Sequence, residues 1–125
     1  MEKLYIEASK STPRIEYKNQ IFSISGQSYP ENAFQFYQPV LQWLKEFLEI
    51  MTEATEFTFN LEYMNTSSSK CIMDIIDILD AAFIEGKQIV INWFYDTDNE
   101  SLLDCAEEFK EDVHLPFNII ALEGQ

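Results

Sequence analysis

The chain predicts an α/β fold, a single mixed sheet with about three helices packed on it, and three features carry that prediction. Strand-like runs alternate with segments of helical periodicity through the second half. The intervening helical segments are long enough for right-handed crossovers between parallel strands. The first part reads instead as an antiparallel hairpin. No internal repeat, linker or low-complexity tract divides the 125 residues, so one domain over 1–125 is expected.

Taken in order, Leu4-Tyr5-Ile6 is a short strand and Ser11-Thr12-Pro13 a break. Arg14–Tyr17 and Ile21–Ser25 alternate apolar and polar residues around Lys18-Asn19-Gln20, a hairpin that Gly26 is expected to end. Ser28-Tyr29-Pro30-Glu31 has capping-box spacing, with proline in a first turn where its missing N–H costs nothing. The following helix places Tyr37, Val40, Leu41, Leu44, Phe47, Leu48 and Met51 on one face, and Pro39 is expected to kink or restart it near Gln38.

The central stretch is Glu56 to Gly86. Its strand, Glu56–Met64, alternates Phe57, Phe59, Leu61 and Tyr63 against Thr58, Asn60 and Glu62. A hydroxyl-rich turn, Asn65-Thr66-Ser67-Ser68-Ser69, leads into a helix over 70–85, with Gly86 as its stop. In that helix Asp74, Asp77 and Asp80 fall at i, i+3 and i+6, the spacing of a solvated face. The run Gln88–Tyr95 reads as an interior strand covered on both faces. Ser101 to Val113 is an acidic amphipathic helix, and Phe117–Leu122 a last strand.

Charge limits the partners. Eight basic against 22 acidic side chains give a net charge of −14, which argues against nucleic acid or an anionic membrane surface. No apolar run approaches the roughly 18 residues of a membrane span, and no signal-peptide core follows the charged start, so a cytoplasmic protein with reduced thiols is expected. The acidic stretch Asp96–Asp112 reads either as a solvated helix face or as a scaffold surface for a basic partner.

Catalytic constellations are thin. Ser67-Ser68-Ser69-Lys70 matches a four-residue S-x-x-K pattern in which lysine activates serine, but the companion elements of those enzymes are missing. Cys71 follows the hydroxyl turn, where a thiolate gains stabilisation, yet Ile72 and Met73 suggest burial. His114 is the only histidine, the cysteines lack metal-ligand spacing, and no glycine-rich phosphate loop is present, so no metal or cofactor is expected. The hydroxyl turn holds four adjacent alcohols where a buried strand hands over to a helix. Free amides and the positive end of a helix dipole favour an anion at such a place, which reads as a phosphorylation switch. Ordinary loop and cap usage of Asn, Thr and Ser is the simpler alternative.

Five spaced motifs add a resemblance. Ser11-Thr-Pro13, Gly26-Gln-Ser-Tyr-Pro-Glu-Asn32, Tyr63-Met-Asn-Thr-Ser-Ser-Ser-Lys70, Asn92-Trp-Phe-Tyr-Asp96 and Glu107-Glu-Phe-Lys-Glu-Asp112 resemble the SiaC-type regulatory phosphoproteins of bacteria over about residues 4–122. The architecture alone is also similar to the STAS domains of anti-sigma factor antagonists. The resemblance implies a non-enzymatic protein phosphorylated by a dedicated serine/threonine kinase and restored by a metal-dependent phosphatase. It implies further that the unphosphorylated form binds and activates a diguanylate cyclase, raising cyclic di-GMP and promoting biofilm. The acceptor it implies is Thr66, with Ser67, Ser68 and Ser69 as alternatives. Asn65, Lys70, Tyr29, Glu31, Asn32, Tyr95 and Asp96 are expected to complete the partner-binding patch, the last two provided that their strand lies parallel and next to Glu56–Met64.

Overall fold

The structure is a computed structural model that describes residues 3–123. Met1, Glu2, Gly124 and Gln125, the outer limits of the single domain expected over 1–125, lie outside the described residues. The elements follow in the order β1 (Tyr5–Ile6), β2 (Arg14–Lys18), β3 (Ile21–Ser28), α1 (Ala33–Ile50), β4 (Thr55–Met64), α2 (Thr66–Ile84), β5 (Ile89–Asp96), α3 (Glu100–Glu111) and β6 (Phe117–Leu122). The strands form one sheet in the same order, antiparallel from β1 to β3 and parallel from β3 to β6. This is the expected mixed α/β sheet.

Asn19 and Gln20 turn the β2–β3 hairpin with φ of 53° and 63°, the left-handed pair that a two-residue loop needs to match the strand twist. From β3 onward each crossover advances one strand in the same direction. Right-handed connections then put all three helices on one face of the sheet. Phe22, Phe57, Ile91 and Phe117 are register neighbours on that face, as are Ile24, Phe59, Trp93 and Ile119. Phe22 meets Trp43 of α1 and Trp93 meets Phe109 of α3, with ring centroids 5.9 and 5.5 Å apart. Helix α2 packs beside α1.

The other sheet face is open, which corrects the expectation for β5. Its apolar run is not covered on both sides: Ile89, Ile91 and Trp93 are buried under the helices, while Val90, Asn92 and Phe94 are only half-buried on the outer face. Three further boundaries differ. Strand β3 continues through Gly26 to Ser28, so the glycine (φ +109°) bends the strand rather than ending it. Helix α1 is capped by Asn32, not within Ser28–Glu31, because Ser28 is buried at the end of β3. Pro39 does not restart α1, which runs unbroken from Ala33 to Ile50 with the proline on its exposed side.

The acidic stripe of α2 is also not uniformly wet. Asp74 and Asp77 are exposed, but Asp80 is only 9% exposed. Its Oδ1 accepts the backbone N–H groups of His114 and Leu115 at 2.8 and 2.9 Å, and its Oδ2 lies 3.0 Å from His114 Nδ1. One carboxylate therefore pins the α3–β6 connection to α2. Burial alone pushes this carboxyl up, but the side-chain hydrogen bond with His114 and the two amides outweigh it, so it sits below its ordinary range. A carboxylate depressed in this way adds stability that is complete above its unfolded pKa of about 3.9 and disappears as pH falls through the lower folded value. Asp80→Ala is expected to cost about 2–3 kcal/mol in urea unfolding at pH 7, and its gap to the wild type should narrow as the pH is lowered below about 4. A gap independent of pH over that range would contradict the assignment.

Candidate functional site

Parallel strands send their C-terminal ends to one edge of the sheet, and the helix that follows each begins there. Asparagine caps each of the three helices among the described residues. Asn32, Asn65 and Asn99 each accept, through Oδ1, the backbone N–H three residues on, at 3.1, 2.8 and 3.2 Å. These side chains tie down one amide per helix and leave the first two amides of each directed outward.

The hydroxyl stretch lies at the middle of this edge, but as helix rather than turn. α2 begins at Thr66, four residues earlier than expected, so Thr66, Ser67, Ser68 and Ser69 form its first turn behind Asn65. Thr66 and Ser67 are exposed, and Ser69 is half-buried. Ser68 is fully buried, which removes it as an alternative acceptor in this fold. Its Oγ accepts from Ser28 Oγ at 2.8 Å, and Ser28 lies 2.7 Å from the Tyr37 hydroxyl. Because Ser28 gives its single proton to Ser68, Tyr37 donates to Ser28. The chain Tyr37–Ser28–Ser68 joins α1, β3 and the start of α2, and Asn65 N–H reinforces it by donating to the Ser28 carbonyl at 3.0 Å. Burial pushes the Tyr37 phenol up to about 12 against the opposing hydrogen bond with Ser28, so it remains a donor throughout the neutral range.

The first turn of α2 carries no acidic side chain, although the protein as a whole carries −14. The positive end of its dipole is therefore uncompensated by its own helix. The Thr66 and Ser67 amides have no partner among the described residues. Lys70 is exposed one turn on, without an ion pair among the described residues. Thr66, Lys70 and Met73 fall at i, i+4 and i+7 along the outward stripe of α2.

The remaining expected residues divide. Asn32 and Glu31 are exposed at the start of α1, and Tyr29 is half-buried with its N–H on the Ser11 carbonyl at 2.7 Å. β5 lies parallel and next to β4, as the placement of Tyr95 and Asp96 required. Asp96 ends β5 on the open side and accepts the Asp98 N–H at 2.9 Å. Tyr95 turns instead toward the helices and packs on the core, a poorer contact residue than expected. Asn99 was not anticipated: it caps α3 and donates from Nδ2 to the Glu62 carbonyl of β4 at 3.0 Å, bridging the two strand ends.

Tyr63 departs furthest from the sequence reading. Across β3–β4 the register runs Gly26↔Leu61, then Gln27↔Tyr63 and Ser28↔Met64, so Glu62 is an extra residue in β4. The bulge reverses the inward–outward alternation. Met64 consequently packs on the core, and Tyr63 stands 51% exposed, edge-on to Tyr29 with ring centroids 5.9 Å apart. Gly26, with φ of +109°, sits beside the bulge on β3, but β4 itself carries no glycine or proline there, so alternation along β4 alone could not find it.

The catalytic alternatives receive no geometry. Ser67 and Lys70 share no hydrogen bond among the described residues, and His114, held by Asp80, is roughly 20 Å along α2 from the first turn. Cys71 is buried, and burial followed by Asp74 raises its thiol rather than favouring a thiolate. No group of three or more His, Cys, Asp or Glu side chains is placed to hold a metal among the described residues. None of their helices is long and apolar enough to cross a membrane.

Comparisons with known proteins identify the family and the fold. The profile of the SiaC family regulatory phosphoproteins matches residues 6–122. The chain belongs to the SiaC family. An uncharacterized protein of Pseudomonas aeruginosa (strain UCBPP-PA14) is 40% identical over 123 residues, covering 97% of this chain and 98% of the relative. The crystal structure of apo-SiaC from Pseudomonas aeruginosa superposes with a TM-score of 0.91 at 38% identity, over 97% of this chain and all of that one. SiaC in complex with the diguanylate cyclase SiaD, which it activates, matches with a TM-score of 0.89 at 39% identity, over 95% and 99% of the two chains.

The buried hydroxyl chain gives a direct check. Ser68→Ala leaves the Ser28 hydroxyl without its acceptor in the core and is expected to cost about 1–3 kcal/mol in thermal or urea unfolding, whereas Ser67→Ala should stay within about 0.5 kcal/mol of wild type. Equal stabilities for the two variants would contradict the network.

Proposed function

We propose that this SiaC-family protein is a non-enzymatic cytoplasmic regulator switched by reversible phosphorylation of Thr66, and that its unphosphorylated form binds and activates a diguanylate cyclase. A dedicated serine/threonine kinase adds the phosphate and a metal-dependent phosphatase removes it. The output is cyclic di-GMP, and through it aggregation or biofilm. One observation carries the reading: an exposed threonine opens a helix whose positive end has unpartnered amides and no acidic side chain.

Phosphorylation adds roughly −1.5 to −2 charges and three strong acceptors at that point. The helix dipole contributes about 0.3–1 kcal/mol, and amide N–H groups or Lys70 supply one to three charge-assisted hydrogen bonds. The rest of the acidic chain opposes the dianion weakly, since charges beyond about 8 Å are screened at physiological salt. The modified protein therefore stays folded, and the effect falls on binding. A partner that covers the first turn of α2 must desolvate the phosphate, at several kcal/mol unless it supplies a cation. Each 1.4 kcal/mol is about tenfold in affinity, so a micromolar contact is lost without any large conformational change. Ser69 and Ser67 are the remaining acceptors within reach, and the exposure of Thr66 at the first helical position ranks it first.

The test uses purified SiaD of Pseudomonas aeruginosa as the probe, with binding and cyclase activation as readouts. Thr66→Ala should bind and activate as wild type does, and should no longer incorporate phosphate from the kinase. Thr66→Glu should bind at least tenfold more weakly while melting within a few degrees of wild type. Wild-type binding by both variants would overturn the switch.

A further inference from the structure

We infer that Tyr63 is the aromatic anchor by which this protein holds its effector, presented by the Glu62 bulge, and that the effector meets it with an apolar slot rimmed by a basic side chain. The inference rests on the effector reading above and names the surface that serves it.

Phe57, Phe59 and Leu61 alternate inward along β4, and an unbroken strand would send Tyr63 inward as the next residue of that series. The single extra residue at Glu62 turns Tyr63 to the open side and Met64 to the core. Bulges re-aim side chains where a site needs them, and here the side chain re-aimed is a tyrosine left half in solvent. Exposing a ring of this size forfeits burial free energy that the adjacent core offers, since aromatic side chains bury about 150–250 Å² each.

The ring is also held in place. Tyr29 meets it edge-on at 5.9 Å, and the Glu62 carbonyl accepts the Asn99 side-chain amide at 3.0 Å. A half-exposed aromatic fixed by neighbours loses little conformational freedom on binding, the property of residues that dominate interface energetics. Tyr63 lies one residue before the Asn65 cap's neighbour Met64, so it belongs to the same sheet edge as Thr66. An effector seated on Tyr63 is thereby within reach of the first turn of α2.

Charge selects the partner's chemistry. Glu62 precedes Tyr63 in the bulge, and Asp98 and Glu100 flank Asn99, whose side chain donates to the Glu62 carbonyl; among the described residues none of these acids has an ion pair. A second copy of this chain would bring the same carboxylates against these, with a net charge of −14 on each copy. A basic rim on the Glu62 side of an apolar slot complements both features, and a partner with no cation over the first turn of α2 still loses the contact when Thr66 carries phosphate.

The experiment measures the affinity of Tyr63→Ala, Tyr63→Phe, Asn99→Ser, Glu62→Lys and Thr66→Glu for purified SiaD, with melting temperatures taken alongside. Tyr63→Ala should weaken binding at least tenfold at unchanged melting temperature, and Tyr63→Phe should stay within about threefold. Asn99→Ser keeps the helix cap but cannot reach Glu62, and should weaken binding a few-fold. Glu62→Lys should weaken it as well. If Thr66→Glu releases the cyclase while Tyr63→Ala binds as wild type does, the anchor is wrong and the switch stands. If Tyr63→Ala weakens binding and Thr66→Glu does not, the anchor stands and the switch fails. Concentration-dependent dimers lost in Tyr63→Ala, with cyclase affinity unchanged, would assign the ring to self-association and overturn the proposal.

Discussion

The hydrogen bond from Ser28 to Ser68 is the contact on which the proposed site depends. It joins the last residue of β3 to the third residue of α2, forty positions on, inside a core where neither hydroxyl has water to fall back on. With Tyr37 as the donor behind it and the Asn65 amide beside it, this bond fixes where α2 begins and which of its hydroxyls face inward. Ser68 is used up as structure. Thr66 and Ser67, two residues and one residue earlier, are left outside. Helix geometry thus divides the four-alcohol stretch between the core and the surface.

The electrostatics of the molecule sharpen this division. A chain with 22 carboxylates would be a poor host for a dianion if its charge were spread evenly. It is not spread evenly at the site: the first turn of α2 holds only uncharged side chains, while α3 carries an acid, Glu100, in its own first turn. Local dipole and amide contacts act at hydrogen-bond distance, and the distant carboxylates are screened. The short-range terms therefore win.

Much of the architecture was legible in the sequence because periodicity reports burial. The order of strands and helices, the hairpin around Lys18-Asn19-Gln20 and the parallel pairing of the second half all followed from it, whereas the adjacency of β4 and β5 entered only as a condition. What was not legible depends on partners distant in sequence. Ser28 reads locally as a helix cap, and only Tyr37 and Ser68 make it a buried strand residue. Asp80 reads as part of a wet stripe, and only the amides of His114 and Leu115 bring it inside. Hydroxyl residues suggest a turn because they compete with helical backbone bonding, yet behind an asparagine cap they make an acceptable first turn. Tyr63 was misplaced for another reason: one inserted residue inverts strand parity, and no residue type within β4 announces it, while Gly26 marks the spot only from the neighbouring strand. The open face of β5 escaped notice because an apolar run states how much is buried and not which side a crossover covers.

The proposed switch requires that Thr66, and no other hydroxyl, carry the phosphate in the living cell. The most direct measurement is phosphopeptide mapping of the protein isolated from its own cells, with and without phosphatase treatment. A single phosphatase-sensitive phosphate on Thr66, absent from the fraction that copurifies with the cyclase, is the predicted result. Phosphate located elsewhere, or equally present on the cyclase-bound fraction, would contradict it.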